Sequence, residues 1–258
     1  MNQAVERVRS SKTAIQGCDS VSIVLTCEHG GNTIPPAYRA LFFGAERILE
    51  SHRGWDPGAL RVAKAMSKML GVKLFSSTTS RLLVELNRSL GHRSLFSEFT
   101  ANLPAAEQHQ IIDKYWHPYR DEVTTRIDSL VNAGRQVIHF SVHSFTPVWE
   151  GTPRKTSIGL LYDPRRPIER SLCESWKARL RDAQPEYSIH SNQPYRGIAD
   201  GFTTSLRRRY DTETCPKGQY NGIEVEINQA LVHPATARQI HSIAALLSQC
   251  LISSRPGQ

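Results

Sequence analysis

Short apolar runs alternate with amphipathic stretches along most of the chain. The apolar runs predict strands at residues 21–27, 72–76, 82–86, 137–142, 158–162 and 223–227. Apolar residues at helical spacing predict helices within residues 57–70, 106–131, 169–183 and 236–252, and another that begins near Thr203. Because strands separated by helices are typical of α/β proteins, we expect a single domain with a mostly parallel central sheet covered by helices.

The two ends of the chain lack this pattern. Residues 1–17 and 253–258 predict flexible termini, so we expect the folded domain to extend over residues 18–252. Between them, the proline, glycine and charged residues of "TPVWEGTPRK" predict a long mobile loop at residues 146–155.

Composition narrows the class of protein. The chain has 258 residues, of which 39% are hydrophobic, and this is enough for a large core. Its apolar runs are too short to span a membrane, and the N-terminus lacks the apolar segment of a secretory signal. The five cysteines form no CxxC pair, so we expect reduced thiols and a cytoplasmic location.

The net charge of +8 raises the question of a nucleic-acid partner. Apart from Arg207-Arg208-Arg209 the basic residues are dispersed, and no nucleic-acid-binding signature is present. We therefore expect neither a nucleic-acid nor a membrane partner. A positive field equally suits a small anionic substrate.

The first predicted strand stops abruptly in "TCEHGGNTIPP". Two consecutive glycines and the Ile-Pro-Pro exit require a loop whose backbone is approached closely. This loop places His29 and Asn32 at the carboxyl end of a strand, which is the edge where open α/β sheets usually bind ligands.

Two more polar residues occur at the ends of predicted elements. Asp56 opens a helix in "WDPGA", and His143 closes a strand in "SVHSFTP". Together with His29 they form the two-histidine, one-carboxylate ligand set of many catalytic zinc sites. Each also fits a simpler role, because Asp56 suits the N-cap of its helix and each histidine suits a hydrogen-bonded loop position.

Two glutamates share one face of the last predicted strand. In "YNGIEVEINQAL", Glu224 and Glu226 are two positions apart, and side chains in a strand alternate with that period. A buried glutamate with a raised pKa is the usual general base of zinc hydrolases. An exposed edge strand would also carry both carboxylates, so the sequence leaves the two interpretations open.

Two clusters are typical of substrate binding. Asn87 and Arg88 follow the predicted strand at residues 82–86, and Tyr195 and Arg196 belong to "PYRG" before a predicted helix. Because the planar guanidinium of arginine binds a carboxylate through two hydrogen bonds, either arginine would suit an anionic substrate.

The order of "TCEHGGNTIPPAY", "WDPGA", "VELNRS", "SVHSFTP", "PYRG" and "VEINQ" resembles the N-formylglutamate amidohydrolase family over residues 21–247. The resemblance implies a fold like that of zinc-dependent carboxypeptidases and cell-wall amidases, and hydrolysis of N-acyl amino-acid amides. It also implies site residues. His29, Asp56 and His143 would hold Zn²⁺ or another divalent metal, Glu226 would be the general base, and Asn87, Arg88 and Arg196 would contact substrate. Asn32 and Tyr195 are further candidate substrate-binding residues.

Three departures from the family pattern bear on the substrate. Glu85 stands where the family often has Asp, Arg120 where it often has His, and the first motif begins with Cys27-Glu28. We expect a metal-dependent hydrolase that cleaves an N-acyl amino acid such as N-formylglutamate. The alternatives are a zinc amidase for another N-acyl amino acid or peptide-like amide, and a catalytically silent binding protein, which would not need a base at Glu226.

Overall fold

The part of the chain that the structure, a computed structural model, describes consists of residues 21–211 and 219–252. The segments 1–17 and 253–258, predicted to be flexible, lie outside it. Within these ranges, no helix combines the length and the apolar character that crossing a membrane requires.

Eight strands and eight helices account for most of the described residues. The strands are β1 (Val21–Cys27), β2 (Leu74–Ser76), β3 (Gln136–Phe145), β4 (Val148–Trp149), β5 (Thr152–Pro153), β6 (Ile158–Leu161), β7 (Ile189–Ser191) and β8 (Tyr220–Asn228). The helices are α1 (Glu46–Glu50), α2 (Ala59–Leu70), α3 (Ala105–Ile111), α4 (His117–Asn132), α5 (Pro167–Ala183), α6 (Phe202–Tyr210), α7 (Gln229–Val232) and α8 (Ala237–Ile252).

Six of the strands form one central sheet in the order β2-β1-β3-β8-β6-β7. The neighbours from β2 to β8 are parallel, whereas β6 runs antiparallel to β8 and parallel to β7. Helices cover both faces of this sheet. The predicted α/β class, with a single domain and a mostly parallel sheet, is therefore confirmed.

The two faces of strand β3 differ in chemistry. One face carries the apolar side chains of Ile138, Phe140 and Val142, which pack with residues of α2, α5 and α8. Because side chains alternate across a strand, the next three positions on the other face are polar. They are His139, Ser141 and His143, and all three are buried. A buried polar row thus leads along the sheet to the carboxyl end of β3.

The prediction of a strand at residues 82–86 is wrong. This segment forms turns, although Leu83 and Val84 are completely buried. The Leu83 carbonyl accepts a hydrogen bond from Thr100 Oγ1 at 3.1 Å instead of pairing with a strand. The apolar residues of this segment are therefore buried in the core, but the segment does not form a strand of the sheet.

Two other segments are more structured than the sequence predicts. The helix expected over residues 106–131 is α3 and α4, joined without a break through a π-helical turn at Ile112–Trp116. The loop expected at residues 146–155 contains the antiparallel hairpin of β4 and β5.

Candidate active site

Three parallel strands bring the predicted ligands and the predicted base to one edge of the sheet. His29 follows β1, and His143 near the end of β3 lies in register with Glu226 of β8. Asp56 comes from the loop before α2, where its backbone N–H donates to His29 O at 3.0 Å. All four side chains lie at the carboxyl edge, as the sequence predicts for a ligand-binding α/β sheet.

The glycine pair after His29 is required by a close backbone approach. A Cβ atom at Gly30 would lie 2.8 Å from Ser77 O, and one at Gly31 would lie 2.8 Å from Thr78 O. Gly30 N also donates to Ser77 O at 2.9 Å. Larger residues would push the loop away from its neighbour and displace His29 from the edge.

His29, Asp56 and His143 form a compact group of possible metal ligands. Asp56 Oδ2 lies 3.3 Å from His29 Nδ1 and 2.9 Å from His143 Nδ1. One donor atom from each of the three residues lies within 4.8 Å of the others. Zinc bonds of about 2.0–2.1 Å place tetrahedral ligands about 3.4 Å apart, so the donor types suit zinc and the two distances to Asp56 are near this spacing.

Both histidines have a partner for the second ring nitrogen. His29 Nε2 is hydrogen-bonded to Glu85 Oε1. His143 Nε2 lies 2.7 Å from Ser141 Oγ, which in turn donates to Glu28 Oε2. Carboxylates and hydroxyls behind a metal-ligating histidine fix the ring and its tautomer. This arrangement leaves the two Nδ1 atoms for a metal.

The buried charges around these histidines favour a cation. Burial alone would raise the pKa of Asp56, but His29, His143 and Arg81 outweigh it and hold this pKa well below the usual range. Arg81 and His29 likewise lower the pKa of Glu85 against the effect of burial. The carboxylates are therefore ionised, and a divalent cation would balance them without requiring protonated histidines.

Glu226 is buried beside this group and lacks a hydrogen-bond partner for one oxygen. Its Oε2 atom contacts no donor among the described residues. Burial raises the pKa of Glu226 to about 7. A buried carboxylate that titrates near neutral pH and has a free oxygen is suited to accept and return a proton.

A cavity of about 380 Å³ opens above these residues. It is lined by eight of the nine predicted site residues, namely His29, Asp56, Asn87, Arg88, His143, Tyr195, Arg196 and Glu226. The exception is Asn32. Its side-chain amide donates to Leu49 O at 3.1 Å, and it lines a separate surface cavity with Phe42 and Phe43. The structure therefore does not bring Asn32 to the other site residues.

The substrate-side residues are held by backbone groups. Asn87 Oδ1 accepts from the Phe202 backbone N–H, which leaves its amide nitrogen to donate. Arg88 Nη1 donates to the carbonyl of Asp200. Arg120, which stands at a position of departure from the family pattern, is buried and donates to Leu86 O at 3.1 Å. Arg120 thus supports the segment that carries Asn87 and Arg88 but does not line the cavity.

Sequence reasoning missed the groups that support the ligands. Ser141 carries a detectable signal, because it lies two positions before His143 on the same face of a strand. Glu85 belongs to a recognised block, although nothing in its spacing links it to His29. Arg81 has no such signal, and only the fold brings its guanidinium within 3.1 Å of Asp56.

Asp56 is not the N-cap of its helix, which is a correction to one interpretation of the sequence. Gly58 occupies that position and provides no side-chain cap. If Asp56 binds a metal, Asp56→Asn removes the charge of a ligand and is expected to release the metal, whereas a substitution at a helix cap would cost little. Metal content after dialysis and the metal dissociation constant measure this effect. Wild-type affinity in Asp56→Asn would show that Asp56 is not a ligand.

Glu85→Gln is expected to weaken metal binding by about 10- to 100-fold, because it weakens the carboxylate partner of His29. Competition with a chromophoric chelator gives the dissociation constant. Glu98→Gln is the matched control, since Glu98 pairs with Arg53 and both side chains are about half exposed. Equal metal affinities in the two variants would show that Glu85 does not support metal binding.

Known proteins resemble this chain in sequence and in fold. The family model of N-formylglutamate amidohydrolase matches residues 21–233. A gene product of Agrobacterium tumefaciens is similar in structure, with a TM-score of 0.74, 28% identity, and coverage of 93% of this chain and 90% of that one. The N-formylglutamate amidohydrolase of Ralstonia eutropha JMP134 shares the fold, with a TM-score of 0.67, 18% identity, and coverage of 93% and 97%. No curated protein matches the chain.

Proposed function

The chain belongs to the N-formylglutamate amidohydrolase family, and from this premise we propose that it is a zinc-dependent enzyme that hydrolyses N-acyl amino acids. The observation that carries the proposal is the cavity in which His29, Asp56 and His143 meet the buried carboxylate of Glu226. A binding protein has no use for a buried base with an unpartnered oxygen. N-Formylglutamate is one candidate substrate.

His29, Asp56 and His143 would hold the zinc ion, with Glu85 and Ser141 keeping the imidazole rings in place. When bound, zinc supplies Lewis acidity that polarises the acyl carbonyl and lowers the pKa of water. The protein's own contribution is proton transfer and orientation.

Glu226 is the group that moves the proton. Its carboxylate accepts a proton from the attacking water as the water oxygen bonds to the acyl carbon. The C–N bond then breaks, and Glu226 returns the proton to the departing amine nitrogen. The products are a free amino acid and the carboxylate of the acyl group. Asn87 and Arg196 line the cavity, and both would donate hydrogen bonds to oxygen atoms of the substrate.

The charges of the cavity favour a substrate with a free carboxylate. Arg88 and Arg196 both line it, and an N-acyl amino acid has lost its amino charge but retains its α-carboxylate. Other N-acyl amino acids compete with N-formylglutamate as candidate substrates, because all of them carry the α-carboxylate that these arginines would bind.

Metal analysis combined with a substrate panel tests the proposal. We expect about one zinc per chain, release of formate or acetate from N-formyl or N-acetyl amino acids, and loss of turnover on chelation that added zinc restores. A metal-free protein with full turnover would contradict zinc dependence. A zinc-loaded protein that cleaves no N-acyl amino acid would contradict the proposed activity.

A further inference from the structure

In addition to Glu226, Arg81 and the metal-ligand candidates, the cavity is lined by four charged residues, and these do not all neutralise one another: Arg88, Arg196, Asp200 and Glu224. The Asp200 carboxylate already accepts two hydrogen bonds, from Ser89 N at 3.0 Å and from Ser89 Oγ at 2.6 Å. One guanidinium nitrogen of Arg88 donates a hydrogen bond to the Asp200 carbonyl. The other two charged groups, Arg196 and Glu224, have opposite charges and form no ion pair with each other.

Glu224 lines the cavity and forms no direct ion pair within residues 21–211 and 219–252. The nearby Arg207, whose pKa the charge of Glu224 helps to raise, is itself paired with Glu169 at 2.9 Å. Its Oε1 atom accepts from Thr203 Oγ1 at 2.9 Å, and no lysine, arginine or histidine among the described residues forms an ion pair with it. The side chain is half-buried. A partly desolvated carboxylate of this kind is stabilised by a ligand that brings a hydrogen-bond donor and is destabilised by a second anion.

The start of α6 leaves Glu224 open to a ligand. Gly201 lies directly against it, and a Cβ atom at Gly201 would be 3.0 Å from Glu224 Oε1 and 3.3 Å from Asn87 Oδ1. Any larger residue would crowd the carboxylate and the amide of Asn87, which both line the cavity. Glycine at this position therefore avoids a steric clash with both side chains.

The spacing along β8 relates Glu224 to the reacting bond. Glu224 and Glu226 are alternate residues on one face of the strand, so their Cα atoms are about 6–7 Å apart. In N-formylglutamine, six bonds separate the acyl carbon from the side-chain amide nitrogen. A chain of that length spans roughly 7 Å when extended. A substrate whose acyl carbon lies at Glu226 and whose side chain runs along β8 would therefore bring the end of a five-carbon amino acid to Glu224.

We propose that Glu224 is a specificity-determining residue that selects N-acyl amino acids whose side chain ends in a hydrogen-bond donor, as in glutamine, over those ending in a carboxylate. This inference rests on the proposed hydrolase function. Arg196, whose guanidinium has no hydrogen-bond or ion-pair partner in the described part of the chain, would bind the α-carboxylate that every such substrate carries. Glutamate would place its side-chain carboxylate against Glu224.

The kinetic test compares N-formyl-L-glutamine with N-formyl-L-glutamate, which differ only in an amide and a carboxylate. We expect the wild-type protein to have at least a tenfold higher kcat/KM for the glutamine compound. Glu224→Gln should bring the ratio of the two values close to one or below it, mainly by lowering KM for the glutamate compound. Glu186→Gln, a change at an exposed glutamate that does not line the cavity, should leave the ratio unaltered.

A wild-type preference for glutamate, or a ratio that Glu224→Gln does not change, would overturn the inference. A binding measurement separates this failure from failure of the hydrolase function. Calorimetric titration of zinc-loaded Glu226→Gln with the same two compounds requires no turnover. Tighter binding of the glutamine compound, lost when Glu224→Gln is added, supports the role of Glu224 even if the wild-type protein cleaves neither. Equal binding, or no binding of either compound, overturns it.

Discussion

Replacement of Glu226 by glutamine is expected to lower kcat by about 10²- to 10⁴-fold while the fold and the bound metal are retained. Glutamine is nearly isosteric with glutamate, but its amide does not take up the proton of the attacking water. Glu226 lies in register with His143, at the end of the strand where the ligands meet, and one of its carboxylate oxygens is buried without a partner. Steady-state kcat and zinc content, measured on the same preparation, give the result.

Glu224→Gln is the informative comparison, because Glu224 lies on the same face of β8 but one pair of residues further from the carboxyl end. We expect a smaller loss of kcat and a change in substrate preference. If Glu224→Gln is nearly inactive and Glu226→Gln is active, the roles assigned to the two glutamates must be exchanged. If neither substitution affects turnover, the hydrolase mechanism fails.

The pH dependence follows from the burial of Glu226. Burial raises the pKa of this carboxyl to about 7, and only the ionised form accepts a proton. Activity should therefore decrease as the pH falls through this value. A bound divalent cation favours the carboxylate and moves the decrease to lower pH, so we expect it at or below about pH 7. The corresponding limb of the kcat profile should be absent in Glu226→Gln.

Removal of either histidine ligand is expected to abolish metal binding and turnover together. His29→Ala and His143→Ala each leave two protein ligands, which is one fewer than catalytic zinc sites use. Zinc per chain after dialysis and the rate of amide cleavage measure the effect. His241→Ala is the control, since this exposed residue of α8 does not line the cavity. Retention of metal and turnover in both ligand variants would refute the site.

The ligand variants also need a test of folding, because each histidine is buried against ionised carboxylates. His29→Ala leaves Glu85 and Asp56 without an imidazole between them, and uncompensated buried charge is destabilising. His29→Gln and His143→Gln retain more of the side-chain volume and a hydrogen-bond donor. Comparing thermal unfolding of all four variants with that of the metal-free wild-type protein separates loss of a ligand from loss of structure.

Five of the six strands predicted from the sequence are present, because burial of a parallel sheet requires continuous apolar runs that are visible in the sequence. The carboxyl end of β1 is also visible in the sequence, because its apolar run stops before Glu28 and His29. The end of β3 is not, because the strand continues past His143. The alternation of side chains in β8 also put Glu224 and Glu226 on one face.

Predictions from local sequence patterns were wrong where the role of a residue depends on contacts with residues distant in the sequence. The segment 82–86 has the composition of a strand, but its carbonyls are bound by side chains. Asp56 has the position of a helix cap, yet its carboxylate contacts His29, His143 and Arg81. Asn32 follows His29 closely in sequence but turns toward Leu49.

The sequence by itself therefore determined the class of fold, the edge of the sheet where chemistry occurs and the candidate ligands, because these follow from periodicity and from which residues end each strand. Only the tertiary structure decided the environment of each group. Glu85 and Ser141 are partners of the histidines, Glu226 is buried with a raised pKa, and Glu224 accepts a hydrogen bond from Thr203 but forms no direct ion pair with any described residue. Burial and charge pairing depend on residues that are far apart in the chain, and no local pattern encodes them.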